Sequence, residues 1–463
     1  MKITPVCRRL FFLFLIPFLL PESACGHEYD RPGALAHTEV AMPQHNAELQ
    51  SLLDAAVRDG LPGVSLRVKG PGIDFKGVAG VADLMTGEPL TTNHAVYVAS
   101  LGKTFTATVA LQFCDEGRLD LDAPITTWLP AEVTNRIPSS GIITLRHLLS
   151  HTSGLIDYLN DDKAWRNDFS MNPHRQWTHS DVIPYLFDKP LLFEPGTDHH
   201  YSNSNYILVG RILELATGQP FHTLIRERIL DPLGLKHTFN GHQTVSSKNR
   251  VHGYVMKRGR VMDMYPGYSH YGLADSGIHS TAGELALFIK SLFTSEEILS
   301  EAMLAEMTNA AESGHPPSRY GMGIFVQTDL WGTGRWYTND GVDPGYHADM
   351  MYLPDLDLTI VLSANASLWK ADMIYEGLLS SVVQVALDAV RERRRQDRYQ
   401  NTRDKQPSGD CLPAHEVAEN PPEHPAITPF RAGGVDQIRI SRLAIYKKTA
   451  TRRPPMPCYD AIK

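Results

Sequence analysis

The sequence predicts an α/β protein of the α+β type. An antiparallel sheet is drawn from both ends of the chain and flanked by helices, with a mainly helical domain inserted between them. Three observations predict it. Short apolar-alternating runs bounded by Gly and Pro fill residues 61–98, and the same pattern returns from residue 320. The intervening stretch, about 119–290, is rich in helical segments and long loops.

The elements follow in chain order. The leading "MKITPVCRRLFFLFLIPFLLPESACG" has basic Lys2, Arg8 and Arg9, an apolar run over 10–20, and small residues at Ala24 and Gly26. This predicts a signal peptide over 1–26 and export to the periplasm or the medium. Cys25 leaves a lipoprotein anchor open, although Glu22 stands where an aliphatic residue is wanted; membrane attachment is expected only through that cysteine. Residues 27–50 read as a linker, 51–395 as the folded domain, and 396–463 as a polar, basic, Pro-rich tail expected to be disordered.

Within the domain, "PGVSLRVKG", "IDFKGVAGVADL" and "HAVYVAS" read as strands. "LGKTFTATVALQFCDEG" reads as a helix buried on most sides, because its polar groups apart from Lys103 are mostly threonines. "SNYILVGRILELATG" has Ser/Asn at its start and Gly218 at its end, and "STAGELALFIKSLF" carries Thr281 and Glu284 at capping-box spacing. "YGMGIFVQTD", "GRWYTND" and "HADMMYLPDLDLTIVLSAN" supply the later strands, and "ADMIYEGLLSSVVQVALDAVRERRR" a last helix.

Bulk properties narrow the function. With 42% hydrophobic residues among 463 and 5 cysteines, the fold must stand on its core rather than on disulfides. A net charge of −8 argues against nucleic-acid binding, and there is no Gly-rich phosphate loop. No cofactor or metal is expected; the partner expected is a small-molecule or peptide-like substrate.

Ser100-Leu101-Gly102-Lys103 is an S-x-x-K whose i, i+3 spacing puts hydroxyl and amine on one helix face. A serine opening a buried helix has the positive end of the macrodipole behind it. Desolvation favours the neutral lysine, which can accept the serine proton. A second match, Ser367-Leu368-Trp369-Lys370, follows a strand and lacks that setting. Tyr201-Ser202-Asn203 is a Y-x-N just before a helix. Beside a lysine the phenol is expected to ionise more easily and relay the proton, while Asn203 bonds the lysine or a substrate carbonyl, or caps the helix. Y-x-N also occurs at Tyr158 and Tyr399, so the combination matters more than either motif.

Together, "SLGKTFTATVALQFCDEGRLDLDAPITTWLP", "ITLRHLLSHTSGL", "FEPGTDHHYSNSNYILVGRILELATG" and "LPDLDLTIVLSAN" resemble the serine β-lactamase and penicillin-binding superfamily. They are most similar to its class C-like branch, which includes D-aminopeptidases and esterases. The resemblance covers about 61–389 and implies the β-lactamase/transpeptidase-like fold. It implies acyl transfer in which Ser100 attacks a carbonyl and Lys103 and Tyr201 manage protons. It also implies an oxyanion hole from the backbone N–H groups of Ser100 and Val342, and a place for Asn203 at the substrate.

The family's third motif, Lys or His, a small residue, then Gly, aligns with Asn339-Asp340-Gly341. The glycine is kept; the cation is replaced by Asn339 and a carboxylate stands beside it. We therefore expect Asn339, Asp340 and Gly341 to form a substrate-binding wall. A charge swap within about 4 Å of a bound carboxylate is worth up to about 4 kcal/mol, and less if the cleft is wet. A β-lactam should bind poorly, and a neutral ester or amine-bearing amide better. His270-Tyr271-Gly272 does not restore the motif, since it precedes a loop-to-helix passage. His147 and His151 are set aside as metal ligands for want of H-E-x-x-H. Asp275-Ser276-Gly277 reads as a turn, and His347 is left open as a residue facing the cleft. The leading functional reading is an exported serine hydrolase. The alternative is a catalytically silent binding protein on the same fold, suggested by the altered third motif.

Overall fold

The computed structural model describes residues 42–243, 249–257, 260–310, 318–328, 332–368 and 370–403. The signal peptide, Cys25 and the tail beyond 403 lie outside the described residues. The expected linker ends early, because Met42–Asp59 is a helix, α1, with Leu49 and Leu53 fully buried. Its apolar spacing was masked by the polar residues between, and contact with the sheet stabilises it. The last helix, Lys370–Arg403, likewise runs past the expected tail boundary at 395.

Eight strands form one antiparallel sheet in the order β3-β2-β1-β13-β12-β11-β10-β9. These are β1 (Gly63–Gly70), β2 (Ile73–Asp83), β3 (Glu88–Pro89), β9 (Ser318–Tyr320), β10 (Phe325–Thr328), β11 (Arg335–Asp343), β12 (Tyr346–Leu353) and β13 (Leu358–Ala364). The first strand therefore pairs with the last, Val64 opposite Ala364, and the chain ends share the sheet as expected. A small second sheet joins β4 (Val96–Tyr97), β8 (Ile278–Ser280) and β5 (Phe239–Asn240), and a hairpin joins β6 (Tyr254–Lys257) to β7 (Arg260–Asp263).

Period-2 alternation divides the core into two layers. On β12, Tyr346, Ala348, Met350 and Tyr352 face the inserted helices, while Met351 and Leu353 face α1 and the C-terminal helix. That C-terminal helix is long and apolar enough to span a bilayer by composition, yet its apolar face is packed on the sheet. His347 takes the second orientation, stacked on Tyr375 with a 3.7 Å centroid distance and near Asp349, Asp372 and Glu376. It lies behind the sheet, away from the cleft.

The element most relevant to function is α2 (Gly102–Asp115), which runs through the interface between sheet and helical insert with Gly102 to Leu111 all buried. Its threonines need no solvent: Thr104 Oγ1 donates to Gly323 O, Thr106 Oγ1 to Ala274 O and Thr108 Oγ1 to Thr104 O. Helix Asn203–Thr217 packs beside it and ends where Gly218 adopts a left-handed φ of 70°. Ser202 does not cap that helix with its side chain; its hydroxyl donates to Ile156 O. Thr281 caps helix Ala282–Thr294, but Glu284 spends its carboxylate on His237 N and Thr238 Oγ1 instead of closing the box.

Candidate active site

Ser100 sits on a short 3-10 turn, Ala99–Leu101, leading into α2. Ala99 holds a φ of 48°, a conformation that costs a side-chain-bearing residue free energy and recurs where a turn presents a functional group. Ser100 is half-buried at the mouth of the helix, and Lys103 one turn on is fully buried.

Three oxygens surround the lysine amine. Its Nζ lies 3.1 Å from Ser100 Oγ, 2.7 Å from Asn203 Oδ1 and 2.7 Å from Asp275 O. Burial lowers its pKa, opposed by the negative charges of Asp275, Asp157, Asp343 and Asp340. In the neutral amine, the two short contacts to carbonyl oxygens take both N–H bonds, so the lone pair is aimed at Ser100 Oγ. The i, i+3 spacing thus places the Ser100 hydroxyl and the Lys103 amine within hydrogen-bond distance.

Tyr201 reaches the same point from the loop before helix Asn203–Thr217, with Lys103 Nζ 5.0 Å from its ring centre. The expectation of easier ionisation is reversed. Burial pushes the phenol well above its ordinary pKa, the neighbouring Ser100 hydroxyl opposes the rise, and Asp340, Asp157 and Asp275 add to it. The sequence shows the lysine beside the phenol but not the burial that dominates the shift. Tyr201 is thus a phenol suited to donating a proton. His151 backs it at 4.2 Å between ring centres; burial holds this imidazole well below its usual pKa, hence neutral. His147 instead accepts from Thr144 N in a capping box, so the two histidines do different things.

Strand β11 closes the other side. Beyond Thr338 it has no partner from β10 among the described residues, which leaves the edge from Asn339 to Asp343 without a strand on that side there. Gly341 packs on the serine turn so closely that a Cβ there would stand 2.1 Å from Val98 O and 2.8 Å from Ser100 N. This contact seats strand β11 directly against the backbone of the serine turn. Asp340 is exposed at the open edge, and its charge is felt at both Lys103 and Tyr201.

Two residues expected at the substrate are occupied elsewhere. Asn339 is buried and turns inward: its Nδ2 donates to Thr104 Oγ1 at 2.8 Å and Gly323 O at 3.2 Å, fastening β11 to α2. Adjacent strand residues face opposite ways, so Asn339 and Asp340 cannot both line the cleft with their side chains. Asn203, 4% exposed, spends its amide on Lys103 and Asp157. The sequence reading missed Asp157 and the true part of Asp275. The carboxylate of Asp275 accepts from Tyr158 at 2.8 Å and Tyr271 at 3.1 Å while its carbonyl takes the lysine. The Asp-Ser-Gly turn and the disregarded Tyr158 motif were the available signals. The second S-x-x-K forms no such pair: Ser367 bonds Gly345 N and Asp343 O, and Lys370 bonds Asp59 O. His270–Gly272 lies outside any strand.

A serine on a helix mouth, a buried lysine one turn on, a phenol from the insert and an open strand edge define a serine acyl-transferase or hydrolase site. Residues 49–380 match the family model described as Beta-lactamase, and the chain belongs to that family of serine hydrolases. It is 27% identical over 317 residues to a penicillin-binding protein of Bacillus subtilis (strain 168), covering 65% of this chain and 68% of that one. With Esterase EstB of Burkholderia gladioli it shares 31% over 200 residues, 41% of this chain and half of the esterase. The D-amino acid amidase of Ochrobactrum anthropi SV3 superposes with a TM-score of 0.64 at 27% identity, over 75% of this chain and 99% of the amidase.

Proposed function

We propose that the protein is an exported hydrolase that cleaves carboxylic esters or amides through an acyl-enzyme on Ser100. The observation that carries this is the hold of two carbonyl oxygens on Lys103, which leaves the amine's third direction toward the serine hydroxyl 3.1 Å away. Lys103 takes the proton as Oγ bonds to the carbonyl carbon, and the negative oxygen settles between the N–H groups of Ser100 and Val342. Tyr201, protonated, donates to the departing alkoxide or amine and regains its proton from Lys103. The lysine, neutral again, deprotonates the water that attacks the acyl carbon, and returns that proton to Ser100 Oγ as the C–Oγ bond breaks and the acid departs.

Substrate choice follows from β11. Asp340 places a carboxylate at the open edge, and Asn339 supplies no cation beneath it. Both features favour neutral or amine-bearing substrates over β-lactams. An esterase and a D-amino acid amidase among the similar proteins support this class of substrate.

Ser100→Ala should abolish turnover of a p-nitrophenyl ester while leaving the circular dichroism spectrum unchanged; turnover equal to wild type removes Ser100 as the nucleophile. A panel of short esters, D-amino-acid amides and nitrocefin tests selectivity, and efficient nitrocefin hydrolysis would contradict the role given to Asp340. Export is supported by the leading basic and apolar segment and is checked by fractionating cells that express the full chain.

A further inference from the structure

We infer that Asp157 is a positioning residue: it locks the Asn203 amide with its oxygen toward Lys103 and thereby turns the lysine lone pair onto Ser100. The inference rests on the Ser100 acyl-enzyme reading above.

Asn203 has two ends of similar shape and opposite chemistry. With Oδ1 toward Lys103 it accepts an N–H; turned over, it would set an NH2 donor 2.7 Å from the amine, where an N–H of the lysine would meet another donor. Asp157 decides between them. Its two oxygens lie 3.2 and 3.0 Å from Asn203 Nδ2, and a carboxylate only accepts, so the donor end must face it. The other hydrogen bonds to its carboxyl oxygens are also from donors, Leu159 N at 3.0 Å and Asn160 Nδ2 at 2.5 Å, while its own N–H donates to Asp161 Oδ2. Every lone-pair direction so engaged leaves no acceptor for a carboxyl proton. That favours the ionised form although burial, the leading influence, raises the pKa of this 1% exposed residue.

Asp157 is thus buried and ringed by donors, and its contacts run to Asn203 and not to the serine. Its charge also reaches the lysine. Asp275, Asp343 and Asp340 act on Lys103 in the same sense, and the Tyr201 and Tyr206 rings cover the amine. Orientation and charge can be separated by substitution. In Asp157→Asn the new amide oxygen still accepts from Asn203 Nδ2, but one negative charge is gone. In Asp157→Ala both are gone.

The test follows turnover of a p-nitrophenyl ester against pH, together with fluorophosphonate labelling at Ser100, in wild type and both variants after melting curves establish folding. Asp157→Asn should keep kcat within about threefold and move the acidic limb of kcat/KM to lower pH, because a lysine with one fewer acid nearby releases its proton sooner. Asp157→Ala should lose about 100-fold in kcat and in labelling rate with little change in KM. A labelled wild type matched by Asp157→Ala overturns this inference alone. So does an Asp157→Asn variant that falls as far as Asp157→Ala with its acidic limb unmoved, which marks a purely structural role. A wild type that does not label overturns this inference and the Ser100 reading together.

Discussion

Gly341→Ala isolates the contact between strand β11 and the serine turn. The added Cβ would lie 2.1 Å from Val98 O and 2.8 Å from Ser100 N, where contacts under 3.0 Å are essentially never tolerated. Both neighbours are backbone, so no side chain can swing aside, and β11 must retreat from the turn by about 1 Å. Overpacking of this kind costs about 1–3 kcal/mol of stability. The same retreat carries Val342 away from Ser100. If their two N–H groups share the oxyanion, loss of one donor costs about 3–4 kcal/mol in the transition state, or about 10²- to 10³-fold in kcat. Turnover of a p-nitrophenyl ester, normalised to the folded fraction from a thermal melt, measures this loss. A variant within about threefold of wild-type kcat and equally stable would show that the strand does not serve the reaction from this position.

Two further outcomes follow from burial and charge. Tyr201→Phe removes the proton donor. It should slow amide hydrolysis far more than p-nitrophenyl ester hydrolysis, because p-nitrophenolate departs without a proton while an amine does not. Equal losses on the two substrates would count against the donor role. Asp343 lies at the end of β11, where burial pushes its carboxyl up to about 7, helped by Asp275 and Asp157 and opposed by the Tyr97 hydroxyl and Lys103. Its unfolded pKa is about 3.9, so across the window between the two the folded state binds the extra proton, and stability falls as pH rises. Asp343→Asn should flatten the decline of Tm from pH 5 to about 7; a slope identical to wild type would dissociate that decline from Asp343.

Much of the architecture was legible because its causes are local. Alternation marked β1, β2, β12 and β13, and a run of threonines and apolar residues marked α2 as buried. Helix α1 was passed over since its stability comes from the sheet it covers. At the site, Ser100 and Lys103 could be paired from spacing alone, because three residues of helix rotation put them on one face. Asn339 was misplaced for the complementary reason. Alternation says that it and Asp340 point opposite ways, but not which of them meets the cleft.

The sequence by itself determined the serine–lysine pair, the order of strands and helices, and the loss of the third-motif cation. Only the tertiary structure decided what surrounds the amine. Asn203 and Asp275 are separated from Lys103 by 100 and 172 residues, and Asp157 acts through the first of them. The Y-x-N motif offered Asn203 as a lysine partner among alternatives, but spacing cannot announce Asp275 or Asp157, because distant segments are brought together by burial of the core and not by local backbone geometry. The protonation of Tyr201 was settled at the same level, since desolvation and the field of separated carboxylates exist only once the chain has folded around them.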